Sequence, residues 1–341
     1  MSGFLHTWQR LKANRTGMAG LLIVVFFLLI AFAAWAGLAG QDWSRVTGGR
    51  WEAPGADHWM GTNMLGQDVM ERAIFSTRTA FKVGLLVAVI STLLGAAMGA
   101  VSGWFSQGLI DEAILWMKGV LDSIPFYLFV AAVAYAMKGN PWAMHIAMIA
   151  TFWTGTARLV RGEVMRLKNR EFVEAARAIG LPAYRIIIRH ILPNTLPILM
   201  VQGSLVFVAA IKTEVILSFL GLGIQDGVSW GLMLAESTQE VVAGQFANFI
   251  AASSMLFLLL MGFNMLADAF QDAFGIPTVE LPGYIFDSAS GRSPIMAVPV
   301  GIAAVMIDDH IVDQVDHVEF LTDLRELGRR DCPVACRVID G

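Results

Sequence analysis

Leu21-Leu-Ile-Val-Val-Phe-Phe-Leu-Leu-Ile-Ala-Phe32 runs for twelve residues without one polar side chain, and its reading decides the fold class. A strand of a membrane barrel alternates lipid-facing and lumen-facing residues, whereas this run is apolar on every side. Residues 255–261 repeat the pattern. Inside hydrocarbon every backbone N–H and C=O must find a partner within the protein, and a continuous apolar run achieves that most simply as a helix. The expected fold is all-α, in a membrane.

The rest of the chain agrees. Of 341 residues, 56% are hydrophobic and only 15% charged, the balance of a protein whose solvent is mostly lipid. Uncharged stretches cover 16–41, 83–110, 123–137, 139–157, 190–211 and 241–267. Most reach the ~20 residues a helix needs to cross ~30 Å of hydrocarbon, giving six expected spans. The third stretch is short and must borrow residues 113–121, which requires Lys118 and Asp122 to face protein or an interface. Arg10, Lys12 and Arg15 precede the first span, and eight basic residues from Arg158 to Arg189 crowd the loop between the fourth and fifth. Both belong on the cytoplasmic side, so the termini are expected inside and the 41–78 and 221–240 loops outside. The first apolar run exceeds the h-region of a signal peptide and reads as an anchor.

Cys332 and Cys336 are the only cysteines. They make neither a disulfide framework nor a CxxC pair. The six histidines, His6, His58, His145, His190, His310 and His317, lack ligand spacing. No metal, cofactor or nucleic-acid partner is expected. A membrane enzyme would bring nucleophile and base together, and no such constellation is legible. An ion-gradient transporter would show matched repeats, which are not evident by eye. A sensor or scaffold fits the composition equally well.

The basic loop is the most informative segment. Val164, Leu167, Phe172, Ala175, Ala176 and Ile179 fall near helical spacing on one side, with Arg166, Lys168, Arg170 and Arg177 on the rest. Gly180 suits a left-handed cap, and Pro182 suits the first turn of a second helix through residues 184–190. Small residues at 175, 176 and 178 would let another surface approach the backbone. Periodicity alone fits an amphipathic helix on the anionic inner leaflet more simply than a docking helix.

Glu174-Ala-Ala, then Gly180, then Ile191-Leu-Pro193 resembles the EAA signature of the membrane subunits of binding-protein-dependent ABC importers. His58-Trp-Met-Gly-Thr-Asn-Met-Leu-Gly-Gln-Asp68, residues 177–194, and Glu214-Val-Ile-Leu-Ser-Phe-Leu-Gly-Leu-Gly223 with Ser229-Trp-Gly231 narrow the resemblance to the dipeptide, oligopeptide and nickel group. The resemblance covers residues 5–274 and is greatest to the second of that group's two permease subunits, with its anchor helix and five core helices. It implies a bacterial inner-membrane importer in which two permeases form the pathway, two cytoplasmic ATPases drive it, and an extracytoplasmic binding protein delivers substrate. Carried onto this sequence, Glu174, Ala175, Ala176, Gly180, Ile191 and Pro193 would belong to the element that couples to an ATPase. Asp122, Glu214, Ser218, Gly221 and Gly223 are candidates for the pathway or its gate. Mutual or interfacial pairing explains Glu214 and Lys212 equally well, and Asp122 near Pro125 has the alternative of stabilising a broken helix. Gly61, Thr62, Gly66 and Asp68 match the family's outer loop, which would contact the binding protein, pack the external gate or form a structured turn. Asn63 and Gln67 stand where that family more usually has Asp and Arg, so a charge pair is expected to be missing. No GxxxxGK[ST] run occurs in the chain, so nucleotide handling falls to another subunit.

Beyond 274 the resemblance ends. Residues 275–341 hold eleven acidic against five basic residues, while 1–274 hold seventeen against nineteen, so the net charge of −4 arises in this tail. Apolar stretches at 297–307 and 334–338 around an acidic stretch at 312–327 suggest a small strand-helix-strand unit. The expected organisation is an anchor and outer loop at 1–78, a five-helix core at 79–274, and an acidic cytoplasmic extension at 275–341.

Overall fold

The computed structural model describes residues 14–137, 139–224 and 227–274, with the backbone of two short strands at 278–279 and 298–299. Contacts divide the chain after Phe274. Among the described residues of the first unit the regular elements are helices: α1 (Arg15–Trp35), α2 (Val69–Trp104), α3 (Leu109–Asp122), α4 (Phe126–Ala136), α5 (Ala143–Leu167), α6 (Glu171–Ala178), α7 (Ala183–Ile186), α8 (Leu192–Phe219), α9 (Trp230–Val242) and α10 (Ala247–Phe274).

Among the described residues four helices are long and apolar enough to cross a membrane, or five if the bent pair α3 and α4 counts as one span. The 25-residue α5 is long enough but falls outside that set, and Arg158, Arg161, Glu163 and Arg166 lie in its C-terminal half. The third expected span is not one continuous helix. Its axis turns by 87° between Asp122 and Phe126, where Pro125 pushes the preceding residue away from helical geometry.

α2 and α5 meet along a stripe of small residues. A Cβ added at Gly95 would come within 2.5 Å of Thr156, and one at Gly99 within 2.5 Å of the Ala157 carbonyl. Hydrocarbon offers no hydrophobic drive between helices, so such close backbone approach supplies the packing energy. α1 lies against α10 in the same manner, Gly20 meeting the Gly262 carbonyl and Met265. The Asn14 side chain caps α1 by accepting from the Gly17 N–H at 3.0 Å and donates to Asp272 of α10 at 3.1 Å. The outer face of α1, with Leu22, Phe26, Leu29 and Phe32, is exposed. The main core joins α1, α2, α8, α9 and α10 around Phe27, Phe81, Phe207, Phe263 and Trp230. Phe207 stacks on Phe263 at 3.9 Å between ring centroids.

The second loop helix, expected over 184–190, does not stop there. α7 passes through a π-helical turn, Ile187–Ile191, into α8. Pro193 has no N–H to donate back to Arg189 and its ring would crowd that carbonyl, so the turn widens to accommodate it. In the second unit β1 (Thr278–Val279) pairs antiparallel with β2 (Val298–Pro299). The helix and last strand expected at 312–327 and 334–338 lie outside the described residues.

Candidate functional site

α5 stops at Leu167 and α6 begins at Glu171. Val164 and Leu167, assigned from periodicity to the loop helix, therefore belong to α5. α6 is amphipathic in a different sense from the expected one. Val173 and Ala176 are buried, with Val160, Val164, Leu167, Ile186, Ile187 and Ile191, in a small aliphatic core beneath it. Phe172, Glu174, Ala175, Arg177 and Ile179 face outward, Ile179 with 76% of its surface exposed. Ala175 is thus placed where a partner can approach, while Ala176 and Ile191 are mounting residues facing the chain's own core. Gly180 is exposed at φ +79°, left-handed geometry that favours glycine. The Gly180 N–H donates to the Arg177 carbonyl and that of Leu181 to the Ala176 carbonyl, closing the cap. Pro182 precedes α7 in extended conformation, one position before the expected first turn. Pro193 is exposed at the start of α8. Val173 was missed because eight residues with apolar groups on most sides define no unique inward face. Arg177 lies over the Trp104 ring at 4.6 Å, and Lys168 donates to the Gly103 carbonyl and Ser106 hydroxyl. The knob is fixed to the inner end of α2 as well.

Asp122 is the last residue of α3, at the bend. It accepts from Lys118 at 2.7 Å and from Arg158 of α5 at 3.4 Å, so it holds the broken helix to its neighbour. Glu214 is buried on α8, but its bonds run to Ser218 at 2.7 Å and Ser229 at 2.6 Å, not to Lys212. Ser229 also caps α9 by accepting from the Leu232 N–H, and Gly221 turns the chain at φ +71°. A Cβ at Gly223 would strike Ser218, and one at Gly231 would come within 2.8 Å of Val215. Glu214, Ser218, Gly221 and Gly223 thereby fasten the end of α8 to the start of α9.

The outer loop is a built structure. Gly61 and Gly66 take φ +74° and +75°. Thr62 donates to the Gly49 carbonyl and accepts from the Glu52 N–H. Asp68 caps α2 by accepting from the N–H groups of Met70 and Glu71 at 2.8 and 3.0 Å. Its other oxygen lies 2.7 Å from His58 Nδ1, a bond that raises the His58 pKa above its ordinary 6.5. The residues in place of the usual charge pair still pair: Asn63 Nδ2 donates to Gln67 Oε1 at 3.0 Å, a neutral substitute. Gln67 also accepts from Arg72, whose other arm donates to Glu236 of α9 at 2.6 Å. One turn on, Glu240 accepts from the Met64 N–H at 2.7 Å. Burial pushes the Glu236 carboxyl up and Arg72 opposes it. Among the described residues no group of three or more His, Cys, Asp or Glu is placed to hold a metal.

Fold and site together define a multi-span membrane subunit that carries a firmly mounted, outward-facing knob at one end and a hydrogen-bonded platform at the other. Residues 91–275 match the family described as binding-protein-dependent transport system inner membrane component. Residues 4–42 match the N-terminal TM domain of oligopeptide transport permease C. The chain is 36% identical over 271 residues to the dipeptide transport system permease protein of Bacillus subtilis (strain 168), covering 78% of this chain and 83% of that one. It is 35% identical over 268 residues to the oligopeptide transport system permease protein of Mycobacterium bovis, covering 78% and 91%. It is 33% identical over 276 residues to a glutathione transport system permease protein of Pectobacterium atrosepticum, covering 78% and 88%. The chain belongs to the family of inner-membrane components of binding-protein-dependent transport systems. It is a bacterial membrane permease subunit of an ABC importer, whose ATPase is a separate subunit.

Proposed function

We propose that this chain forms half of an ATP-driven import pathway for dipeptides or oligopeptides, paired with a second, related permease and served by two cytoplasmic ATPases and an extracytoplasmic binding protein. The names of its relatives support a peptide-like cargo; nickel chelates are the alternative within the same group. Six crossings, by α1, α2, the α3–α4 pair, α5, α8 and α10, with both termini inside, account for the basic loop on the cytoplasmic side. In that organisation residues 1–78 supply anchor and outer loop, 79–274 the core, and 275–341 a cytoplasmic appendage. The outer loop and α9 then face the binding protein.

The observation that carries this reading is the two-sidedness of α6. Val173 and Ala176 seat it on the inner core, while Glu174, Ala175, Ile179 and Gly180 stand exposed. A groove on the ATPase receives the exposed face, and closure of the nucleotide-bound pair moves α6 and the attached ends of α2, α5 and α8 as one body. Affinity purification of the intact chain beside Gly180→Asp tests it, because an open site at positive φ tolerates the side chain less well than glycine and the new carboxylate opposes docking. The ATPase and a second permease co-purify with the intact chain, and the ATPase falls at least tenfold in the variant. Absence of the ATPase from both would leave α6 as a lipid-facing helix and remove the assignment.

A further inference from the structure

α3 is a short helix turned sharply away from the one that follows it. It has 14 residues, about 21 Å at 1.5 Å per residue, and lies at 87° to α4. Two arginines of α5 strap it at opposite ends. Arg161 makes a two-pronged contact with Asp111 in its first turn, both bonds 2.8 Å, and Arg158 reaches Asp122, its last residue, at 3.4 Å. Asp111 also accepts from the Ser102 hydroxyl at 2.5 Å and the Gln107 N–H at 2.9 Å, pinning this end to the inner tip of α2. Along α3 the two aspartates stand about 16 Å apart, but along α5 their partners stand only about 4.5 Å apart. Both ends of α3 are therefore drawn to one short stretch of α5.

Its side chains sort accordingly. Asp111 and Ile114 are buried. Leu109, Ile110, Trp116 and Val120 are exposed at 84%, 48%, 74% and 45%, on a broad apolar arc away from the α5 contact. A short amphipathic helix at the level where the charged end of α5 begins, with a tryptophan on its apolar arc, has the form of an interfacial helix. We propose that α3 lies in the plane of the inner leaflet with Leu109, Ile110, Trp116 and Val120 among lipid at the boundary between headgroups and acyl chains. α3 is then a lipid-borne strut tied to α5 by two arginines.

Residues 109, 113, 116 and 120 recur every three or four positions and share one face, which makes the test sharp. With Cys332 and Cys336 replaced by Ser, a nitroxide is placed singly through Leu109→Cys, Ala113→Cys, Trp116→Cys and Val120→Cys. Leu22→Cys, Phe26→Cys and Leu29→Cys on α1 calibrate depth. Each labelled chain is assembled with its partner permease and ATPases, which also shows whether the importer reading stands independently, and reconstituted in phosphatidylethanolamine–phosphatidylglycerol vesicles. Collision with oxygen and with a water-soluble nickel chelate reports depth. The α1 sites step by about 1.5 Å per residue, and the four α3 sites share one depth on the lipid side of the inner interface. A gradient of about 16 Å between 109 and 120 would show a crossing helix. Nickel accessibility at all four would place the face in water, and shielding from both probes would place it against protein; each of these three results overturns the proposal.

Discussion

At the inner end α6 rests on Val160, Val164, Leu167, Ile186, Ile187 and Ile191, aliphatic side chains without one directional bond among them. At the outer end the buried side chains of the loop, of the first turn of α2 and of α9 include Thr62, Asn63, Gln67, Asp68, Arg72 and Glu240, each hydrogen-bonded. Apolar contact is non-directional and lets packed elements shift slightly without losing a discrete bond. A buried polar network holds one arrangement, because every displaced donor or acceptor is left unsatisfied. The inner mount suits an element that must pass on a movement. The outer platform suits a fixed shape presented to whatever approaches it.

The contrast can be broken at its inner side first. Val173→Asp puts an unpaired carboxylate into the aliphatic core, with a cost on the order of 3–5 kcal/mol. Thermal unfolding of the purified assembly should fall by several degrees and ATPase co-purification should be lost, while protease cleavage within residues 41–68 stays at its wild-type rate. Arg72→Met is the outer counterpart. It strips Glu236 and Gln67 of a shared donor, and because Glu236 keeps some solvent access the expected cost is smaller, about 2 kcal/mol. Limited proteolysis should then cut the outer loop faster, with the ATPase still bound; loss of the ATPase instead would erase the distinction between the two ends. The smallest effect is that of pH on His58. Its pKa is raised in the folded protein by Asp68, so the bond's contribution is complete on the acid side of 6.5 and fades as pH climbs through the higher folded value. Hydrogen exchange in the outer loop should quicken over that rise in the intact chain and show a flatter profile in His58→Ala.

What the sequence made legible was local. Gly180 and Pro182 announced a tight turn between two helical pieces, and Pro125 with Asp122 marked the weak point of the third span, because each of these acts on its own backbone. Glu214 and Ser218, four residues apart, share a helix face by simple periodicity. Ser229, the other donor to Glu214, comes from the far side of a turn fifteen residues away, and Asp111 and Arg161 are fifty residues apart; spacing carries no trace of such pairs. The departure at Asn63 and Gln67 was visible, but two amides bonding in place of opposite charges depends on a loop geometry set by Gly61 and Gly66. The inward face of α6 escaped for another reason: it is chosen by Ile186, Ile187 and Ile191 arriving from beyond the turn.

α2 is 36 residues long, or about 54 Å, against ~30 Å of hydrocarbon. Upright it would exceed that thickness by some 24 Å, and its N-terminal tip is where Asp68, Arg72 and the loop they organise are attached. One rod thus carries that loop at its tip, and through Gly95 and Gly99 the rod is locked to α5. The distance from that lock to the loop is a dimension of the chain itself, set by the rise of the helix.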